Sequence, residues 1–225
     1  MLNFHELLSS EKPLLIVSLP ENSLDYARAA IDNGADAIKL HVNLKHRVTG
    51  QIHTSWKAIK SEVEKIKELN CCMGIVPGTE TMASPSEIKE MEDSGFSFFD
   101  VYIDYAPLYL LNSNMAKMLA LNYTYELYMV KHLVLIGADA VEVSIINPSD
   151  YGKPLTLLDI TKYKEILSMT ELPAFVPTQK KISSTECERL LEMGFRGIII
   201  GPIVTGVNLR DFSKAVREYG KVIHG

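Results

Sequence analysis

The chain has 225 residues, of which 47% are hydrophobic, and a formal net charge of −5 at neutral pH. That length buries a sizeable core, and the negative balance argues against nonspecific binding to nucleic acid or to an anionic membrane surface. No basic segment followed by a long apolar core opens the sequence and no run approaches membrane-spanning length, so a cytoplasmic protein is expected.

In chain order, Leu2 to Leu8 reads as a short helix. The strands that follow read as Leu14–Ser18, Asp36–Val42, Cys72–Val76, Phe99–Asp104, Lys117–Asn122, Ala140–Ile146, Ala174–Pro177 and Gly197–Gly201. Helices are clearest at Ser23–Asn33, Ser55–Leu69, Pro85–Ser94, Leu157–Met169, Ser184–Met193 and Leu209–Val222. Several carry Ser or Asn at their starts as N-caps, and Ser84-Pro85-Ser86-Glu87 adds proline at the first helical position. The stretch from Pro107 to Ile136 is ambiguous: six of the ten tyrosines fall between residues 102 and 128, and the segment also reads as one long buried helix. The preferred division is a short helix near Leu108–Ser113, a fifth strand, and a helix from Thr124.

Four times a helix ends in glycine and runs into a strand: Asn33-Gly34-Ala35-Asp36, Ser94-Gly95-Phe96, Ile136-Gly137-Ala138-Asp139 and Met193-Gly194-Phe195. The copies lie roughly 40 to 60 residues apart, enough for two strand–helix units per interval. No linker divides the alternation. The arithmetic gives eight units and one (β/α)8 TIM barrel spanning residues 1–225, with any active site at the C-terminal ends of the strands.

Side chains alternate along a strand, so the even strands present Lys39 and His41, then Asp100, Tyr102 and Asp104, then Glu142 and Ser144. Lys39 and Glu142 should face each other across the barrel. A buried lysine or glutamate is costly unless paired. The pair is therefore either a structural ion pair or an acid/base couple, with Asp104 as orienting or second acid/base residue. His41, His46 and His53 crowd the loop after the second strand, where Lys45, His46 and Arg47 form a basic lip. A divalent metal would suit His41, Asp104 and Glu142, but no tight ligand spacing supports it and Lys39 would repel a cation. The three cysteines show no metal-binding spacing and read as buried thiols in a reducing compartment.

The eighth strand leads into Gly201-Pro202-Ile203-Val204-Thr205-Gly206 and the seventh into Thr178-Gln179-Lys180-Lys181-Ile182-Ser183. These loops, with the glycine-punctuated alternation over most of the chain, resemble the ribulose-phosphate-binding barrel superfamily. The resemblance implies a phosphate site near Gly201, Gly206 and the Gln179–Lys181 loop. Two departures stand out: the seventh loop lacks a glycine pair, and Pro202 removes a backbone donor, so Lys180 or Lys181 would supply the charge. The Asp-x-Lys-x-x-Asp pattern of the phosphate-sugar decarboxylases in that group is absent, and their chemistry is not carried over.

The expectation is an enzyme acting on a small phosphorylated metabolite, a phosphosugar epimerase or isomerase with Lys39, Glu142 and Asp104 at the reaction centre. His41, Ser144, Gln179, Lys180, Lys181, Gly201 and Gly206 would contact substrate. The reading invokes no metal and no cofactor, and allows a homo-oligomer. One alternative is an aldolase-type lyase with Lys39 forming a Schiff base; another is a non-catalytic barrel that binds a phosphometabolite or a flavin phosphate.

Overall fold

The computed structural model describes residues 3–225. Its eight parallel strands are β1 (Leu14–Ser18), β2 (Ala37–His41), β3 (Cys72–Val76), β4 (Phe96–Tyr102), β5 (Ala116–Ala120), β6 (Ala140–Glu142), β7 (Ala174–Pro177) and β8 (Gly197–Ile200). They close into a barrel in sequential order, with β1 hydrogen-bonded to both β2 and β8. This is a single (β/α)8 TIM barrel, as the alternation predicts.

The outer helices are α2 (Leu24–Asp32), α3 (Trp56–Lys67), α4 (Pro85–Asp93), α6 (Leu157–Leu167), α7 (Ser184–Glu192) and α9 (Leu209–His224), and a single turn, α8 (Pro202–Thr205), follows β8. Ser84, Thr156 and Ser183 close capping boxes at the starts of α4, α6 and α7, satisfying donors that a helix start leaves unpaired. Below the barrel, α1 (Phe4–Ser9) pushes Phe4 against Phe98, with ring centroids 4.1 Å apart. Leu14, Ile16, Ala37, Phe98, Met118, Phe175 and Ile199 pack with it into a closed apolar plug. The N-terminal end is thus dry and filled, and the open space lies at the other end. The start of the expected first helix, Leu2, lies outside the described residues.

The Gly-Ala-Asp copies have a mechanism beyond ending helices. Asp36 accepts the backbone N–H of Leu15 at 2.7 Å and returns its own N–H to the Leu15 carbonyl at 2.9 Å. Asp139 repeats this with Lys117, at 2.8 and 2.9 Å. Each aspartate therefore ties the start of its strand to the start of the preceding strand.

Several boundaries differ from the sequence reading. β4 ends at Tyr102, not Asp104, because the chain turns and Tyr105 N–H bonds the Tyr102 carbonyl. β6 stops at Glu142, where Ser144 N–H folds back onto the Glu142 carbonyl. The ambiguous segment holds a 3₁₀ turn at Leu108–Asn112, β5, and only one helical turn, α5 (Leu127–Val130). A second 3₁₀ turn, Val134–Ile136, then ends on Gly137 at φ 89°, a conformation that favours glycine. A hairpin of Leu44–Lys45 paired with Ile52–His53 rises after β2; the sequence reading treats it as loop. No helix among the described residues is long and apolar enough to cross a membrane.

Candidate active site

A cavity of about 320 Å³ opens at the C-terminal ends of the strands. That is at the lower end of the range for small-molecule sites. Its inner lining comes from inward positions of the strands, Ser18, Lys39, His41, Asp100 and Glu142, and from Ser144 just after β6. Its mouth is formed by Lys45–Val48 of the hairpin, by Thr79, Glu80 and Tyr151, and by Gly201–Ile203.

The centre is the Lys39 ammonium. It donates to Glu142 Oε2 at 2.7 Å and to Asp100 Oδ2, and all three side chains are buried. Ser144 donates its hydroxyl to the other Glu142 oxygen, Oε1. An ammonium has three donors, so one remains for a ligand. Among the described residues Asp100 Oδ1 is buried without a partner. A buried acceptor left open carries a desolvation penalty, which a ligand hydroxyl donating at this spot would offset.

The charges at this cluster are set by competition. Burial works against the Lys39 ammonium, but Asp100 and Glu142 together outweigh it and raise its pKa above the ordinary lysine range. Burial also works against the Glu142 carboxylate, yet Lys39 and the hydrogen bonds around it bring its pKa down to about 2. Asp100 goes the other way: burial and the neighbouring Glu142 charge push its pKa well above the usual carboxylate range, against the pull of Lys39. Two carboxyls at one site drive their proton affinities apart, and they titrate as a unit.

Beside the cluster, His41 Nε2 lies 3.1 Å from Ser18 Oγ, and His41, His46 and His53 pack ring to ring at centroid distances of 4.8 to 6.1 Å. Burial and the nearby Lys39 charge lower His46 to about 4; burial and His46 lower His53 to about 4. His46 Nδ1 accepts the Val48 and Thr49 N–H groups, both at 3.3 Å, so its proton sits on Nε2. Among the described residues no three His, Cys, Asp or Glu side chains converge as a metal site.

The structure brings together Lys39, Glu142, His41, Ser144, Gln179 and Gly201 of the residues selected from sequence. It separates the others. Asp104 is exposed in the turn beyond β4 and does not line the cavity; Asp100, two inward positions below it, meets Lys39. Lys180 is buried away from the cavity, 3.4 Å from Asp159 Oδ2, while Lys181 and Gly206 are exposed outside it. Gln179 has both N–H donors occupied: its amide donates to the Ser144 carbonyl and to Tyr151 Oη, and its oxygen accepts Ile146 N–H. Tyr151, on the chain after β6, lines the mouth without any sequence signal that marks it.

No family model matches the sequence, and no curated protein matches it by sequence. The fold does match solved structures. Thiamine phosphate pyrophosphorylase from Pyrococcus furiosus superposes with a TM-score of 0.67 over 98% of both chains at 14% identity. A tryptophan synthase structure from M. tuberculosis matches with a TM-score of 0.76 over 99% of this chain and 96% of that one, at 12% identity. Phosphoribosyl anthranilate isomerase from Thermus thermophilus matches at 0.66 over 93% and 97%, also at 12%. At such identities the likeness is one of fold alone, the (β/α)8 barrel.

Proposed function

We propose that this chain is an enzyme acting on a small phosphorylated metabolite, a phosphosugar, and that it moves a proton beside a carbonyl as an epimerase or isomerase. The observation that carries the reading is the buried Lys39–Asp100–Glu142 cluster at the floor of a cavity at the C-terminal end of the barrel. Phosphorylated compounds in the names of two structural neighbours support the substrate class. In this proposal Glu142, held as a carboxylate, takes the proton from the carbon next to the carbonyl. The third N–H of Lys39 stabilises the oxyanion that develops. Asp100, which holds a proton more tightly than an ordinary carboxyl, returns one to the enolate. The substrate loses one proton and gains one, and the cluster is restored when the proton taken by Glu142 passes, directly or through solvent, to the Asp100 carboxylate. Asp100 thus takes the place that the sequence reading gave to Asp104. The raised proton affinity of Lys39 weighs against the Schiff-base reading, which needs a neutral amine.

The test is solvent exchange. Incubated in D2O with a panel of ketose and aldose phosphates, the protein should place deuterium on the carbon next to the carbonyl of at least one of them. Borohydride added during turnover should leave no adduct on Lys39. A trapped adduct would favour the lyase. Tight binding with no exchange across the panel would favour a non-catalytic barrel.

A further inference from the structure

The loops after β7 and β8, where barrels of this type commonly bind phosphate, have few groups to spare here. Gly201 N–H is given to Thr178 Oγ1 at 3.0 Å, and Pro202 has no N–H. Val204 and Thr205 N–H both bond the Gly201 carbonyl, at 3.0 and 3.1 Å, which leaves Ile203 N–H as the one free backbone donor of this turn among the described residues. The buried Lys180 ammonium faces Asp159, and Lys181 points outside the cavity lining.

Across the mouth the situation is reversed. Lys45 and Arg47 line the cavity, and among the described residues neither has a carboxylate at salt-bridge distance. The Arg47 guanidinium rests over the Tyr102 ring at 5.1 Å, which orients its planar donors. Tyr151 Oη accepts from Gln179 at 2.6 Å, leaving the phenol proton to donate elsewhere. His46, with its Nδ1 occupied by backbone donors, presents Nε2–H. Glu80 also lines the mouth, but Thr79 and Tyr105 donate to its carboxylate.

Building on the phosphorylated-substrate reading, we infer that the phosphate is gripped by the β2 hairpin, through Arg47 and Lys45 with the Tyr151 hydroxyl, and not by the β7–β8 rim. The carbonyl end of the ligand then enters first, toward Lys39, and the phosphate stays at the mouth. Gln179 is a positioning residue in this arrangement, since it holds Tyr151 and has no N–H left to donate to the ligand. The hairpin is braced by the edge-on and tilted packing of His41, His46 and His53, so its charge is presented on a packed base.

Titration calorimetry with inorganic phosphate, a substrate phosphosugar and its unphosphorylated sugar tests this. Arg47→Met keeps an unbranched apolar side chain and removes the charge; it should weaken inorganic phosphate and phosphosugar by about 10- to 100-fold, the usual scale for a charge-assisted contact. Its affinity for the unphosphorylated sugar should not change. Tyr151→Phe should weaken the phosphorylated ligands by roughly tenfold, and Lys181→Ala should change nothing. If the phosphorylated ligands bind and Arg47→Met leaves them unaffected, the hairpin assignment is overturned, whether or not Lys181→Ala weakens them. If the wild-type protein prefers the unphosphorylated sugar, the substrate class itself is overturned.

Discussion

At the scale of single residues, the base of the hairpin after β2 depends on keeping histidines neutral beside an ammonium. His46 and His53 titrate near 4 in the folded chain and near 6.5 when unfolded. Between those values the unfolded chain binds more protons, so stability is complete above about pH 6.5 and is lost as pH falls toward 4. The loss should be on the order of 1–3 kcal/mol per histidine after allowance for partial solvent access. Urea midpoints at pH 7.5 and 4.5 check this, and His53→Phe should flatten the difference. Equal midpoints for the wild-type chain would mean that the histidines are not held neutral. The residues of the cluster were partly legible: the two-residue alternation puts Lys39 and Glu142 inside, and it puts Asp100 on the same face as Asp104. The alternation says nothing about where the strand stops. No glycine or proline interrupts Tyr102 to Ala106, so Asp104 reads as a strand end until the turn at Tyr102–Tyr105 is seen. Lys180 was misread for a different reason. Its partner, Asp159, belongs to α6, and nothing local to Lys180 reveals it.

At the scale of elements, the aspartates after Gly34 and Gly137 couple neighbouring strands through one carboxylate each. Asp139→Ala strands the partly buried Lys117 N–H and frees His5, which sits 3.2 Å from the same carboxylate. The expected cost is about 1–3 kcal/mol, read as a drop in melting temperature of about 2–4 °C per kcal/mol for a chain of this size. A variant that melts with the wild type would remove the carboxylate from the account of strand pairing. Gly197 is a steric case. A Cβ there would lie 2.3 Å from the Leu14 carbonyl oxygen and 2.8 Å from the Phe175 ring, so β1 and β8 would have to part. Gly197→Ala should cost roughly 1–3 kcal/mol or more, measured by chemical denaturation; an unchanged midpoint would show that the barrel seam yields freely. The glycines were visible in sequence as helix ends and strand starts, which made the eight-unit count possible. The stretch from Pro107 to Ile136 was harder because its helices are reduced to single turns. A single turn has too few residues to show a 3.6-residue period.

At the scale of the whole molecule, closing the barrel is what assembles the Lys39 cluster. Asp100 and Glu142 lie 61 and 103 residues beyond Lys39 in sequence, yet both touch one ammonium. A buried ion cluster of this kind costs desolvation free energy whether or not it catalyses anything, so its presence alone does not separate a reaction centre from a structural brace. Lys39→Met does. The substitution keeps most of the apolar stem, removes the ammonium, and leaves two buried carboxyls without their cation. Both interpretations therefore predict some loss of stability, about 3–5 kcal/mol for a broken buried pair. They part on the reaction. The most direct measurement is the single-turnover rate of deuterium exchange into the phosphosugar by Lys39→Met protein, taken well below its own melting temperature. Proton transfer centred on Lys39 predicts a rate lower by at least about 10²-fold in protein that is fully folded. Exchange within a few-fold of the wild-type rate would contradict it and leave the cluster as a structural brace.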